Sequence, residues 1–220
     1  GRIQLESLLA AGVNIDHVLV RPDCASQTGY VLIDGSTGER TIAWRRPEGL
    51  RLEPDELDPE WVTSGRLLHV DGHDAGAVAR AAAIARRAAI PVTMDAGSVR
   101  DGVGDVLPSV DYLIGSTEFP ANWTGETDPF AALARIQKEY GMRVAAMTLG
   151  EYGALALSAG RFVYSPGFIV DCVDTTGAGD VFHGAFCYAV LQDLPLAEAL
   201  DFSNALAALN CTAFGARGGI

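Results

Sequence analysis

The sequence predicts an α/β fold in which a mainly parallel β-sheet is covered by helices on both faces. From residue 66 onward, short apolar segments of β type alternate with helical segments, and such alternation is typical of parallel sheets. The composition agrees. Of the 220 residues, 49% are hydrophobic, which is enough for a large core, and 25 are glycine, which suits close packing of helices on a sheet. We expect one domain over residues 1–220.

The first part of the chain predicts a helix end, a hairpin and a connection. Residues 4–11 are typical of the end of a helix that Gly12 closes. Residues 30–44 are β-rich on either side of the turn residues 35–38, which predicts a β-hairpin. Residues 47–59 form an acidic connection, interrupted by prolines, with room for a short helix.

The remaining segments predict the sheet and its helices. We predict strands at residues 67–70, 91–94, 112–114, 143–148, 154–158 and 161–164, and helices at residues 75–89, 118–124, 130–140, 178–191 and 196–214. Polar or glycine-rich segments follow four of these strands, at residues 71–73, 95–98, 116–118 and 148–153. Because ligands of open α/β sheets bind beyond the carboxyl ends of the strands, we expect these four segments to share a cleft.

The charge and the residue counts exclude several classes of protein. A formal net charge of −12 opposes binding to nucleic acids or to anionic membranes, and no run of eighteen apolar residues occurs, so we expect a cytoplasmic enzyme. The four scattered cysteines indicate reduced thiols rather than a disulfide framework or a zinc site. The only lysine, Lys138, lies within a predicted helix, and no GxxxxGK[ST] motif is present. Any phosphate must therefore be held mainly by backbone N–H groups and arginines.

A glycine-rich bend before a predicted helix carries the strongest chemical signal. The segment 173–180 places Gly177, Ala178 and Gly179 directly before Asp180. A helix start attracts anions through its unpaired N–H groups, and small residues let a phosphoryl group approach the backbone. Asp180 could then take a proton from an attacking hydroxyl. The plain alternative is a turn with an acid in the first helical turn, which needs no ligand.

The longer motif at residues 174–185 resembles the C-terminal signature of the ribokinase-like sugar kinases, the PfkB family, which includes ketohexokinase. Residues 148–153 look like the nucleotide loop of that family, and residues 204–216 look like its last helix and cation loop. Residues 35–42 resemble its lid hairpin. The resemblance implies a ribokinase-like three-layer α/β/α sandwich with a small β lid at about residues 28–46.

The resemblance also implies ATP-dependent phosphorylation of a small-molecule sugar at a hydroxyl group. Asp180 would be the general base, and the backbone of Gly177, Ala178 and Gly179 would hold the charge on the transferred group. The implied cofactors are ATP, Mg²⁺ and a monovalent cation such as K⁺, and the lid hairpin implies a homodimer. The implied nucleotide-binding residues are Ser116, Thr148, Gly150, Gly153 and Asn204. The implied cation ligands are Asp174, Thr176, Asn210, Ala213, Gly215 and Gly219, although a helix C-cap at Gly215 explains that segment equally well.

The sequence departs from the family pattern in three places. The first family strand, its Gly-Gly motif and its sugar-binding Asp are absent, so we expect an N-terminally incomplete chain with an unfinished sugar pocket. The Asn-x-x-Glu motif that organises Mg²⁺ in many members is replaced at residues 116–119, where Phe119 cannot act on a metal. His183 stands where the family often has Asn. Packing or a contact near the nucleotide fits it better than proton transfer.

Two other functions remain as alternatives. A non-catalytic relative that binds nucleotide or sugar would share most of these motifs, but the presence of Asp180 favours a kinase. A nicotinamide-dependent dehydrogenase would need a GxGxxG motif after an early strand and an acid about twenty residues later. The sequence contains no such pair, so this alternative is weak.

Overall fold

A computed structural model describes residues 1–35 and 40–220 of the chain. Helix α1 (Arg2–Ala10) is followed by the antiparallel strands β1 (Thr28–Ile33) and β2 (Arg40–Arg45). The predicted hairpin is therefore confirmed in its two strands, while most of its predicted turn, at residues 36–38, lies outside the described residues.

The central sheet has six strands in the part of the chain that the structure describes. In spatial order they are β3 (Leu68–Val70), β4 (Val92–Ala96), β5 (Tyr112–Gly115), β6 (Val144–Thr148), β7 (Ala154–Ser158) and β8 (Arg161–Ser165). Strands β3 to β6 are parallel, and β7 and β8 add an antiparallel hairpin at one edge. The strands lie in the sheet in the same order as in the chain. Each parallel pair is therefore formed by consecutive strands, which are joined by a crossover connection that contains a helix.

Helices cover both faces of this sheet and make three layers. Alternate side chains of the strands belong to different layers, because successive residues of a strand point to opposite faces. One layer contains α2 (Pro59–Thr63), α3 (Ala75–Arg87), α4 (Val103–Val106), α5 (Phe119–Thr124) and α6 (Pro129–Tyr140), and the other contains α7 (Ala178–Leu191) and α8 (Leu196–Asn210). On β5, Leu113 packs in the first layer and Ile114 in the second. The predicted α/β architecture with both faces covered is confirmed.

The largest differences from the sequence predictions concern three helices. Helix α8 ends at Asn210 rather than at residue 214, because the carbonyl of Cys211 accepts the N–H groups of Val173 (2.8 Å) and Asp174 (3.3 Å). This tertiary pairing takes the backbone out of the helix although the sequence stays apolar. Helices α2 and α4 were not predicted, since their five and four residues are too few to show a helical period.

The hairpin is fastened to the sheet domain by an ion pair. Arg46, directly after β2, donates to both carboxylate oxygens of Asp74 at 3.1 and 2.6 Å, and the N–H of Leu52 donates to the same carboxylate. Burial opposes the charge of Asp74, but these hydrogen bonds outweigh it and hold its pKa below the usual value. The last residues of β2 are thereby held beside the start of α3.

Among residues 1–35 and 40–220, no helix has the length and the apolar character that a bilayer crossing requires.

Candidate active site

The predicted phosphate-binding segment forms the bend that begins α7. Gly177 is the residue before the helix and has a φ of 78°, in the left-handed region that favours glycine. A Cβ atom at this position would also collide with the backbone of Ala216. The N–H of Ala178 donates to Thr175 O at 3.2 Å, while Gly179 and Asp180 lie in the first turn, where an α-helix offers no carbonyl partner to their N–H groups. The bend therefore presents amide donors at a helix start.

Asp180 lies in this first turn, exposed, on the wall of a cavity of about 1120 Å³. No hydrogen bond or ion pair to another described residue occupies its carboxylate. Gly179, next to it, has open space where a side chain would be. A carboxylate and backbone amides thus face the same open volume, which is the arrangement that an anionic group and an attacking hydroxyl require.

The bend is clamped to the end of α8. The buried carboxylate of Asp174 accepts the N–H of Thr176 at 2.8 Å and the N–H of Gly215 at 2.9 Å. The side-chain amide of Asn210 donates to Thr176 O at 2.9 Å. These contacts hold the backbone just before Gly177 in place, because they join the segment before α7 to the end of α8 and the segment after it.

Two buried oxygens in this clamp lack a hydrogen-bond partner among the described residues, namely Thr176 Oγ1 and Asn210 Oδ1. A buried acceptor without a partner costs free energy, so such atoms commonly mark a place where a cation or water belongs. Gly219 packs so tightly on α8 that a Cβ atom would collide with Leu209 and Asn210. Contacts therefore connect five of the six implied cation ligands to the clamp, and the sixth, Ala213, lies in the same segment after α8.

All five implied nucleotide-binding residues line the same cavity as Asp180: Ser116, Thr148, Gly150, Gly153 and Asn204. Ser116 follows β5, and its hydroxyl oxygen accepts the N–H groups of Glu118 and Phe119, both at 3.3 Å, where α5 begins. The Thr117 hydroxyl donates to Thr148 O at 2.8 Å and joins the ends of β5 and β6. Two neighbouring strand ends thus form one wall, as the parallel sheet requires.

Another part of the cavity wall is formed by the glycines Gly150 and Gly153 and by the side-chain amide of Asn204. Gly150 and Gly153 have φ values of 61° and 94°, and a Cβ atom on Gly153 would collide with the backbone around Ser165. The buried Asn204 donates through Nδ2 to Ser165 O at 3.1 Å and to Ser165 Oγ at 2.7 Å. Asn204 therefore positions the segment after β8 in addition to lining the cavity.

The wall of the cavity contains a pair of side chains, Asp95 and His183, whose contact the sequence did not predict. Nε2 of the buried His183 lies 3.3 Å from Oδ1 of Asp95, at the carboxyl end of β4. Burial opposes the charge of Asp95, but the hydrogen bond and the electrostatic interaction with His183 outweigh it and keep the pKa of Asp95 below the usual value. From the sequence, Asp95 could be placed at a strand end and His183 one turn after Asp180. Neither position shows that the two side chains are in contact.

No group of three or more His, Cys, Asp or Glu side chains among the described residues is arranged to hold a metal ion. Phe119, which stands at the metal-organising position of the family motif, is fully buried and stacks on Trp123 with ring centroids 6.2 Å apart. It is a core residue, as its apolar ring leads one to expect.

A model of the pfkB family of carbohydrate kinases matches residues 1–220. The chain is 29% identical to the ATP-dependent ribose-1-phosphate kinase of Halopiger xanaduensis over 99% of its own length and 72% of that protein. It is 29% identical to a fructokinase of Klebsiella pneumoniae over 98% and 77% of the two lengths. An E. coli protein assigned as ribokinase II, solved with ATP and Mg²⁺, superimposes with a TM-score of 0.87 at 24% identity, over all of this chain and 75% of that one. The chain therefore has the ribokinase-like α/β/α fold and belongs to the pfkB family of carbohydrate kinases.

Proposed function

We propose that this protein transfers the γ-phosphoryl group of ATP to a hydroxyl group of a small sugar, with Asp180 as the general base. The observation that carries the proposal is the position of Asp180, whose carboxylate has no partner among the described residues and lies at a helix start on the wall of the cavity. The loop glycines Gly150 and Gly153 line the same cavity, so a nucleotide held there would reach Asp180.

The size of the cavity supports two ligands at once. Pockets for a single drug-sized ligand measure roughly 300–1,000 Å³. The volume of about 1120 Å³ exceeds that range, and the cavity runs from the loop at Gly150 and Gly153 to the start of α7. Nucleotide and acceptor can therefore lie end to end, with the transferred group beside Gly179.

Each residue of the bend has a separate task in this proposal. Asp180 hydrogen-bonds the sugar hydroxyl and takes its proton as the oxygen attacks phosphorus. The amides of residues 177–179 and the dipole of α7 stabilise the negative charge on the equatorial oxygens, and Gly179 leaves them accessible. Bound with the nucleotide, Mg²⁺ would neutralise the phosphate charge, and Ser116, which lines the cavity at the end of β5, would help to orient its water shell. The proposal needs no lysine.

The test is release of ADP from ATP with a panel of acceptors. The panel contains ribose 1-phosphate and fructose, the substrates that the names of the two relatives indicate, together with ribose and 2-keto-3-deoxy sugar acids. We expect turnover with at least one acceptor and slow ATP hydrolysis without one. ATP binding without turnover on any sugar would instead support a non-catalytic nucleotide-binding protein.

We also propose that the clamp between Asp174 and Asn210 holds K⁺. The unpartnered oxygens Thr176 Oγ1 and Asn210 Oδ1 fit a hard cation that prefers neutral oxygen ligands, and the adjacent carboxylate of Asp174 supplies charge. Replacing choline chloride with KCl at constant ionic strength is expected to raise the unfolding free energy by roughly 1 kcal/mol. Thr176→Val, which replaces the hydroxyl with a methyl group of similar size, is expected to reduce that difference. Equal stability of the wild-type protein in the two salts would refute the site.

The hairpin is the surface that we propose for homodimer formation. Trp44 contacts His73 and Arg100, with distances of 6.3 Å between ring centroids and 6.0 Å from the guanidinium to the indole, so one hairpin face turns to the sheet domain. The other face carries Tyr30 and Leu32, which are 72% and 69% exposed. An apolar face of this kind favours self-association.

Light scattering coupled to size-exclusion chromatography tests the dimer. We expect a mass of twice the 23.1 kDa chain and a shift to the monomer in Leu32→Lys. Ile3→Lys, at a residue of α1 that is 78% exposed, is the matched control and is expected to leave the mass unchanged. A monomeric wild-type protein would rule this interface out.

A further inference from the structure

We propose that His183 and Asp95 form a positioning pair that fixes the first turns of α7 against the end of β4 and so aims Asp180 into the cavity. The inference rests on the proposed function and deepens it, because it names two residues that would act through the base without touching the transferred group. His183 is 5% exposed and lies one turn after Asp180 on the same helix.

The contact geometry defines which atoms take part. A carboxylate oxygen only accepts hydrogen bonds, so Nε2 of His183 must carry the hydrogen that points to Asp95 Oδ1 at 3.3 Å. The other ring nitrogen, Nδ1, is buried and has no partner among the described residues. The imidazole thus makes a single directed polar contact, and that contact crosses from α7 to the sheet.

The two sides of the base are held by different devices. On one side, Asp174 and Asn210 join the bend to α8. On the other side, toward the sheet, His183 supplies a polar contact to β4, while Phe182 and Phe186 pack in the apolar cluster that contains Ile114 of β5 and Val144 of β6. Apolar packing resists separation but leaves rotation of a helix about its axis less restricted than a directed hydrogen bond does, and Asp180 lies one turn away on that axis.

Charge gives the pair a second task. The carboxylate of Asp95 lines the same cavity as Asp180, so its negative charge would act at a distance, without contact, on anionic phosphates bound there. The hydrogen bond from His183 directs one of its oxygens into the wall. Other titratable groups close to the pair are His69 on β3, whose ring centroid lies 5.7 Å from that of His183, Asp71 after β3, and Cys187 on α7, whose sulfur lies 3.7 Å from His69 Nδ1. Among the described contacts, none of these three groups forms a hydrogen bond with Asp95.

A double-mutant cycle in the ADP-release assay tests the pair. We expect His183→Leu and Asp95→Leu each to lower kcat by roughly 10- to 100-fold, with the KM for ATP changed little, because a misplaced catalytic group costs rate rather than nucleotide binding. The double variant is expected to lose no more than the worse single variant. His183→Gln, whose side-chain amide nitrogen can take the place of Nε2 and still donate to Asp95, is expected to restore kcat to within about threefold of the wild type. Additive losses, or no rescue by Gln, would overturn the proposal.

Gln137→Met is the matched control. Gln137 lies on α6 in the other helical layer, where its amide donates to Leu157 O at 3.0 Å, so the variant also removes a side-chain hydrogen bond to the sheet. It is expected to change stability without changing kcat. A similar fall in kcat in this variant would mean that any loss of a helix–sheet contact suffices.

A second readout does not depend on turnover. Long-range ¹H–¹⁵N spectra of the four histidines, assigned with His183→Asn, are expected to show a hydrogen on Nε2 of His183 and a changed signal in Asp95→Leu. Absence of any acceptor sugar would count against the proposed function but leave this result interpretable. The positioning role would be refuted if the His183 signal were the same in Asp95→Leu as in the wild type. It would also be refuted if the spectra showed the contact in the wild type but its removal left kcat unchanged.

Discussion

Replacing Asp180 with Asn is expected to lower kcat by about 10² to 10⁴-fold, the range that a positioned general base contributes. The amide keeps the size of the side chain and can still hydrogen-bond the sugar, but it cannot accept the proton. Because Asp180 is exposed and no hydrogen bond or ion pair to another described residue holds its carboxylate, the substitution removes no contact of the folded chain. We therefore expect unchanged unfolding and nearly unchanged ATP affinity by calorimetry.

Glu198→Gln is the control for this variant. Glu198 is also an exposed acid in the first turn of a helix, α8, so both substitutions remove one favourable charge from a helix start. Glu198 does not line the cavity, and its variant is expected to retain the wild-type kcat. Equal rates for wild type and Asp180→Asn would remove Asp180 from the mechanism.

Replacing Gly177 with Ala is expected to destabilise the protein by about 2–4 kcal/mol and to abolish most activity. The residue has a φ of 78°, which costs alanine about 1–2 kcal/mol, and the new methyl group would meet the backbone of Ala216. Relief of that collision would move the bend away from the segment after α8. Urea unfolding measures the first effect, and ADP release measures the second.

Gly184→Ala separates a general effect of glycine replacement from this local one. Gly184 lies in the middle of α7, and no atom lies within 4 Å of the place that a Cβ atom would take. Alanine is favoured over glycine inside a helix by about 1 kcal/mol, so this variant is expected to be as stable as the wild type or more stable. A Gly177→Ala protein with wild-type stability would contradict the close packing at the bend.

The fold followed from sequence pattern because its elements have strong local signals. The helix at Ala178–Leu191 and the strand at Ala154–Ser158 have the bounds that their patterns indicate, since a glycine precedes each of them and turn residues follow. The predicted end of α8 was wrong, because Cys211 leaves the helix and its carbonyl accepts hydrogen bonds from the chain before α7. A local sequence pattern carries no information about such a distant partner.

The candidate site divides in the same way. The bend at Gly177 could be found from sequence, because glycine, small residues and an acid before a helix make one contiguous motif. The pairing of Asp95 with His183 could not, since 88 positions separate them and neither residue type is unusual at its place. The function of each nucleotide-binding and cation-binding residue stays a prediction that the experiments above address.

The central claim is that phosphate and sugar hydroxyl meet at the start of α7. A crystal structure with a non-hydrolysable ATP analogue and the acceptor sugar tests it most directly. We predict the γ-phosphate beside the amides of residues 177–179 and a sugar hydroxyl oxygen about 2.6–3.2 Å from the carboxylate of Asp180. A nucleotide bound outside this cavity, or a carboxylate of Asp180 turned away from the sugar, would contradict the proposed mechanism.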